Sequence, residues 1–379
     1  MRLVLLVTSP RVAPGALTWA AWQALASGPV LTREQDHPQR DALTAAGIVT
    51  EAVDPEHPPA AIARILRDAA ARTGTAVWLA GPTGDEDVGR ALGDLALRHQ
   101  DVDAADRGDD LEIEVVHGSW DVPGARLLDV VATMDRLRSP GGCPWDAQQT
   151  HDSLAPYLLE EAYEAFQAIE DEDSDALREE LGDVLLQVAF HARLAQERGE
   201  EGWTIDDVAA GLVAKLVRRH PHVFGDTSVT GAEEVVVNWD VIKKQEKGDR
   251  LTLDGVPLAQ AALTLAATLQ RKAAKLGVPA GLVAPESVQA ATPAAAVAAL
   301  AAHVEEQPGV DAAGALLWAA VALLRSNDID PETALRARAR AFRDQVTTVE
   351  RDVRERGDDP HTLGAQTWHE LWPEAGPAS

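Results

Sequence analysis

The sequence predicts a mainly α-helical protein in which a small α/β domain precedes helical domains. Two observations support this prediction. Strand-like apolar runs are confined to roughly the first 120 of the 379 residues, and from Leu127 onward the apolar residues recur at the helical period. The length fits two to three domains of ~100–200 residues each. We place the domain boundaries at 1–120, 126–248 and 256–379.

Strands alternate with helices in the N-terminal domain. The predicted strands are residues 3–7, 76–80 and 111–116. Helices are predicted over 16–26 and from the turn 81–84 to about His99. Such alternation favours a small, largely parallel sheet.

Composition excludes several function classes. The chain has 34 basic and 61 acidic residues, a net charge of −27, so no nucleic-acid-binding surface is expected. A nucleotide can still bind where a metal and local Lys or Arg offset this charge. The single cysteine, Cys143, excludes an internal disulfide. No run approaches the ~20 apolar residues of a membrane span, and residues 1–7 are too few for a signal peptide, so we expect a cytoplasmic protein.

Two pairs of carboxylates are the most informative feature of the chain. Glu161 and Glu164 share one face of a predicted amphipathic helix, and Glu180 and Asp183 share a face of the next. The polar stretch 170–175 is short enough to turn the chain back, which makes the helices antiparallel neighbours. We therefore expect the four carboxylates to converge.

Converging carboxylates repel each other unless a cation neutralises them. A hard divalent ion with oxygen ligands, usually Mg²⁺ bridging to substrate phosphates, meets this need. The alternative is that these acids are simply the solvated faces of two helices in an acidic chain. Their occurrence as two pairs on adjacent apolar helices favours the metal site.

Further motifs flank the carboxylates in a fixed order. They are GCPWDxxQTH at 142–151, EExxE at 160–164, ExxD at 180–183 and KxxRRHPHVF at 215–224. On these motifs, segment 126–248 resembles MazG-type nucleoside triphosphate pyrophosphohydrolases of the all-α NTP pyrophosphatase superfamily. Several motifs in order make this resemblance specific, whereas EExxE alone is weak.

The resemblance implies the metal site. In the family, Mg²⁺ is bound by the residues that correspond here to Glu161, Glu164, Glu180 and Asp183, and Mn²⁺ is an expected substitute. Glu160 lies beside them and is expected to orient a water or to act as the base.

The resemblance also implies substrate contacts. Lys215, Arg219, Trp239 and Lys243 match family positions that contact phosphates. Alternatives stay open, because basic residues in a last helical turn stabilise the helix dipole anyway and Trp239 can serve packing alone. Trp145 either stacks on a base or anchors its loop.

Four other residues are expected to be structural. Cys143 is predicted to be a small buried residue, because no environment that activates a thiol is evident. His151, His220 and His222 are possible general bases, but their positions beside proline and helix ends favour a structural role.

The expected reaction follows from charge. A triphosphate repels an incoming nucleophile, and a bound metal removes that repulsion and lowers the pKa of water. A nearby carboxylate can take the proton. We expect NTP + H₂O → NMP + PPi without a covalent intermediate, and the sequence does not indicate which base or sugar is preferred.

The two flanking domains carry fewer signals. The C-terminal domain looks like a second, degenerate MazG-like domain, because Ala312, Gly314 and Ala315 stand where Glu180, Gly182 and Asp183 stand in the first. The fold class is therefore tandem MazG-like helical bundles, with the second predicted to be silent. The N-terminal domain faintly resembles a truncated tetrapyrrole-methylase domain, and we expect an appendage rather than an active methyltransferase.

Two other function classes compete with the hydrolase. A di-iron carboxylate protein would need Glu-x-x-His, and position 183 is Asp. A non-catalytic nucleotide sensor or scaffold on the same fold is disfavoured by the four intact acids. Because the predicted helices expose long apolar faces, and because family active sites form within dimers, we expect a homodimer or higher homo-oligomer.

Overall fold

The computed structural model describes residues 1–100, 111–247, 251–278 and 292–372. The chain forms two compact units, Met1–Phe224 and Gly225–Ser379. The domain boundaries predicted from sequence stay predictions. None of the described helices is long and apolar enough to cross a membrane.

The first unit begins with a parallel five-stranded sheet, in the order β3-β2-β4-β1-β5. Its strands are β1 (Arg2–Val7), β2 (Val30–Thr32), β3 (Thr50–Ala52), β4 (Thr75–Leu79) and β5 (Glu112–His117). The helices between them are α1 (Trp19–Leu25), α2 (Arg40–Ala45), α3 (Pro59–Thr73) and α4 (Glu86–Gln100). The predicted parallel sheet is confirmed, together with the small α/β N-terminal part of the fold class.

Helices cover both faces of this sheet. Leu3 and Leu5 of β1 pack in one apolar cluster with residues of α3 and α4, whereas Val4 and Leu6 pack in another with residues of α1 and α2. Successive side chains of a strand point to opposite faces. A strand that is buried on both faces is therefore apolar at consecutive positions, and this pattern is the one that predicted β1 and β4.

The predicted elements differ from the structure in two ways. Strands β2 and β3 were not predicted, because each has only three residues and shows no alternation over a useful length. Helix α1 begins at Trp19 rather than at residue 16, because the Thr18 side chain accepts a hydrogen bond from the backbone N–H of Ala21 and caps the helix there.

The rest of the first unit is helical. Its helices are α5 (Arg126–Arg138), α6 (His151–Glu170), α7 (Ser174–Gln196), α8 (Ile205–Arg219) and α9 (Pro221–Phe224). Helices α6 and α7 pack against each other as the predicted hairpin, and α7 also packs on α5 and α8. Met134, Leu154, Phe190 and Leu194 form the apolar core where α5, α6 and α7 meet.

The second unit is also helical. Its helices are α10 (Ala232–Lys247), α11 (Ala262–Lys275), α12 (Pro293–Glu306), α13 (Val310–Arg325), α14 (Pro331–Glu355) and α15 (Ala365–Leu371). Helix α14 begins with Asp330 as N-cap and Pro331 as first residue. Ala312, Gly314 and Ala315 lie on α13, which packs against α12. The silence of this unit stays a prediction.

Candidate active site

The α6–α7 hairpin positions the predicted acids. Helix α6 ends at Glu170, and α7 begins at Ser174 after Asp173, whose side chain accepts hydrogen bonds from the backbone N–H groups of Asp175 and Ala176. The chain reverses through Glu172, which adopts a left-handed φ of 55°.

The reversal places the acids of the two helices opposite each other. Glu164 lies eight residues before Glu172 and Glu180 eight residues after it, while Glu161 and Asp183 lie eleven residues before and after. In an antiparallel hairpin such positions face each other. The sequence distance to the turn therefore decides which carboxylates meet.

Three of the four predicted ligands converge. Glu161, Glu164 and Glu180 each offer a carboxylate oxygen, and these oxygens lie within 4.8 Å of one another. Asp183 is not a member of this group, but its charge acts on both Glu161 and Glu180. The structure thus brings together Glu161, Glu164 and Glu180 and places Asp183 beside them.

The electrostatics of this acid cluster favour a cation. Partial burial, followed by the charges of Asp183, Glu164 and Glu160, raises the pKa of Glu161. Partial burial and the charges of Glu164 and Asp183 likewise raise the pKa of Glu180. Raised pKa values mean that the ionised carboxylates are held at a cost, which a divalent ion with oxygen ligands would remove. The donor set is the all-oxygen set that fits Mg²⁺.

The loop between α5 and α6 contains Trp145 and is held by hydrogen bonds. This segment, residues 139–149, is called the Trp145 loop below. The Trp145 ring is 52% exposed and contacts the Tyr157 ring of α6 edge-on, with centroids 6.3 Å apart. The Gln149 side chain donates to the Trp145 carbonyl at 3.0 Å. About half of the Trp145 surface is therefore open to a ligand while its backbone is held by Gln149, and both predicted roles stay predictions.

Arg138, at the end of α5, holds the other side of this loop. Its side chain is only 4% exposed and forms a two-pronged ion pair with Glu197, the C-cap residue of α7, at 2.7 and 2.8 Å. It also donates to the carbonyl of Asp146 and lies over the Phe190 ring, 5.4 Å from the centroid. Arg138 thus fixes the Trp145 loop to the helix that carries Glu180.

Helix α8 carries the predicted phosphate-binding residues Lys215 and Arg219. It begins at the capping box formed by Thr204 and Asp207. Lys215 is exposed and Arg219 half-buried, on the helix that packs against α7. The role of both residues in phosphate binding stays a prediction.

The remaining predicted phosphate contacts lie on α10, in the second unit. Lys243 and Trp239 are one turn apart, with the Lys243 Nζ 5.3 Å from the Trp239 ring centroid. Lys243 thus covers one face of the Trp239 ring through a cation–π contact. Phosphate binding by these two residues stays a prediction.

The other candidates make local contacts that fit structural roles. The Nδ1–H of His220 donates to the Leu216 carbonyl at 2.7 Å, and the His220 ring contacts that of His222 edge-on. Cys143 is half-buried rather than fully buried.

Sequence reasoning did not single out Arg138, Gln187 or His191. The role of Arg138 depends on contacts with residues far along the chain, which no local motif shows. A signal for the other two was present: polar positions 183, 187 and 191 recur every four residues on an otherwise apolar face of α7.

Comparison with known proteins identifies the family. The family model for the MazG nucleotide pyrophosphohydrolase domain matches residues 149–224, which include the acid cluster. A Thermotoga maritima protein named nucleoside triphosphate pyrophosphohydrolase/pyrophosphatase MazG is 38% identical over 258 residues, covering 66% of this chain and 96% of that protein. An Escherichia coli K12 nucleoside triphosphate pyrophosphohydrolase is 38% identical over 253 residues, covering 65% and 94%.

A third relative is an uncharacterised 26.1 kDa protein of Streptomyces cacaoi, 45% identical over 245 residues, covering 64% of this chain and 90% of that protein. The fold and site define a carboxylate-bearing helical hairpin of the kind that hydrolyses phosphoric anhydrides. The chain belongs to the MazG family of nucleotide pyrophosphohydrolases.

Proposed function

We propose that the chain is a Mg²⁺-dependent hydrolase that cleaves (deoxy)nucleoside triphosphates to the monophosphate and pyrophosphate, as part of nucleotide-pool housekeeping. The observation that carries this proposal is the convergence of Glu161, Glu164 and Glu180 within 4.8 Å. The names of the relatives support the same reaction class. The proposed cofactor is Mg²⁺, with Mn²⁺ as a substitute.

The proposed ligands are Glu161, Glu164, Glu180 and Asp183. When bound, Mg²⁺ neutralises phosphate charge and lowers the pKa of a coordinated water. Glu160 lies on α6, is exposed and is adjacent to Glu161. It is the proposed group that takes a proton from the attacking water.

The basic and aromatic residues have proposed binding roles. Lys215 and Arg219 bind the phosphates whose charge the acid cluster would otherwise repel, and Trp239 with Lys243 adds to this set. Trp145 stacks on the base with its exposed face. Within the first unit, substrate binding thus joins residues of α8 and the Trp145 loop to a metal held by α6 and α7.

The proposed assembly is a homodimer. Large apolar side chains are exposed along α6, α7 and α8, including Leu159, Ile169, Leu181, Leu212 and Val213 at 47–58%. Apolar stripes of this extent on bundle helices are normally covered by another helical surface. A second copy of the chain supplies such a surface.

Turnover of a panel of NTPs and dNTPs with Mg²⁺, with separation of the products, tests the proposal. Monophosphate and pyrophosphate are expected from the wild type, and neither from Glu164→Ala or Asp183→Ala. Glu160→Gln is expected to lower kcat while Mg²⁺ still raises the melting temperature. Diphosphate and phosphate as products would show that a different bond is cleaved. Mg²⁺-dependent nucleotide binding without turnover would instead support a nucleotide sensor on the same fold.

A further inference from the structure

Two histidines from different helices meet beside the start of α6. His151, the first residue of α6, and His191 of α7 have parallel rings with centroids 5.0 Å apart, and their Nδ1 atoms are 2.7 Å apart. Between two imidazole nitrogens at this distance, one must carry a proton and the other must present a lone pair. The two side chains therefore share one proton across the α6–α7 contact.

The opposite side of the His191 ring is buried. Its Nε2 has no hydrogen-bond partner among the described residues, and the same holds for Oε1 of Gln187, a residue that is only 4% exposed. The two residues are four apart on α7, so they lie a turn apart on one face. A buried donor and a buried acceptor are each costly when unpaired. No hydrogen bond joins these two atoms in the structure, and one formed by rotation of the Gln187 side chain would satisfy both.

One assignment of protons would pair all of these atoms. We propose that His151 Nδ1–H donates to His191 Nδ1, that the Gln187 side chain rotates so that its Oε1 accepts from His191 Nε2–H, and that this relay positions the Trp145 loop for nucleotide binding. The Nδ1 of His191 can then accept only if its proton is on Nε2, which fixes the tautomer.

The peptide bond to Thr150 and a set of hydrogen bonds beyond it join His151 to the Trp145 loop. Next to His151, Thr150 and Ser153 form the capping box that begins α6. The Ser153 hydroxyl donates to Gln149 Oε1 at 2.7 Å, and Gln149 Nε2 donates to the Trp145 carbonyl. A displacement of His151 is thus transmitted to Trp145.

The inner end of the relay lies on the helix that carries part of the acid cluster. Gln187 follows Asp183 by one helical turn, on the helix that also carries Glu180. The relay therefore fixes the Trp145 loop relative to the acid-bearing helix at a second point, independent of Arg138. This positioning role rests on the proposed function, because it assumes that Trp145 contacts the nucleotide.

Steady-state kinetics on the full chain test the positioning role. His151→Ala is expected to raise KM for the nucleotide about 5-fold, the effect of one hydrogen bond, with kcat nearly unchanged because the acids are untouched. His151→Asn, whose amide can still donate to His191, is expected to restore KM. His57→Ala, at an exposed histidine of the N-terminal part, is the matched control. An unchanged KM in His151→Ala, or a KM that Asn does not restore, overturns the positioning role.

A second measurement is independent of turnover. In protein with isotope-labelled histidine, NMR is expected to show a downfield N–H resonance for the shared proton, present in wild type and His57→Ala and absent in His151→Ala. Gln187→Leu is expected to shift the His191 Nε2–H resonance, with the fold verified by thermal melting. Absence of the shared-proton resonance in wild type, or a His191 signal that ignores Gln187→Leu, shows that the relay is wrong. If the relay resonances behave as expected but the wild type hydrolyses no nucleotide, the proposed function fails and the proton relay stands.

Discussion

Replacing Glu164 by glutamine is expected to change stability in opposite directions without and with Mg²⁺. The carboxylate of Glu164 lies within 4.8 Å of those of Glu161 and Glu180. Two unit charges at this separation repel by about 1 kcal/mol in a water-like dielectric, and salt weakens the repulsion further. Removing the Glu161–Glu164 repulsion is therefore expected to raise the free energy of unfolding of the metal-free protein by up to ~1 kcal/mol, or ~2–4 °C in Tm.

Mg²⁺ reverses the order of the two proteins. A ligand at 100 times its Kd stabilises the folded state by about 2.7 kcal/mol, and glutamine offers only a neutral oxygen in place of a charged ligand. At a Mg²⁺ concentration that stabilises the wild type, Glu164→Gln is expected to show little gain. The measurement is thermal melting followed by circular dichroism, in EDTA and in Mg²⁺.

Glu179→Gln is the matched control for this experiment. It removes one charge from the same acidic region, beside Glu180, but lies outside the acid cluster. It is expected to retain the full Mg²⁺-dependent gain in Tm. A metal-free Glu164→Gln protein that melts below the wild type, or one that gains as much from Mg²⁺ as Glu179→Gln, would refute the reasoning.

Three other perturbations have defined outcomes. The Mg²⁺-dependent gain in Tm is expected to shrink as pH falls from 7.5 to 5, because the raised pKa values of Glu161 and Glu180 bring protonation of these ligands closer to neutral pH. In metal-free protein, the same two groups stabilise the fold at low pH, and this contribution is lost as pH rises through their pKa values. A gain that is constant with pH contradicts this. Arg138→Ala is expected to lower the free energy of unfolding by about 2 kcal/mol in urea titrations, less than for a fully buried pair because Glu197 is partly exposed. Arg138→Lys is expected to lower it less, and equal losses in the two variants would argue against the two-pronged ion pair. Trp145→Ala is expected to raise the KM for the nucleotide about 10-fold, because stacking on the base is lost. Trp145→Phe is expected to stay close to wild type, with the Tm of both variants nearly unchanged. A lower Tm without an effect on KM would assign Trp145 to anchoring its loop.

The sequence was sufficient for the hairpin and for most of the acid cluster. A short polar stretch between two amphipathic helices predicts an antiparallel hairpin. Each helix carries a pair of acids three residues apart, so the hairpin brings the two pairs together. Glu161, Glu164 and Glu180 converge as expected from that pattern. Asp183 lies only beside them, because helix periodicity gives the face on which a residue lies but not the last few ångströms between side chains.

Other features depended on tertiary contacts that no local pattern encodes. Arg138 meets Glu197 across 59 residues of chain, and His151 meets His191 across 40. The short strands β2 and β3 exist because they pair with β4 and with each other, since three residues have little preference of their own. Periodicity also could not show that Trp239 and Lys243 belong to a compact unit other than that of the acid cluster.

The connection between α6 and α7 also constrains how this sequence can change. Only residues 171–173 separate the two helices, and Glu164 and Glu180 are equally distant from Glu172. A residue gained or lost at the start of α7 would rotate that helix by about 100° relative to α6 and turn Glu180 away from Glu164. Within a lineage, substitutions of the three connecting residues thus keep the register of the acids, whereas an insertion or deletion there removes the site in a single event.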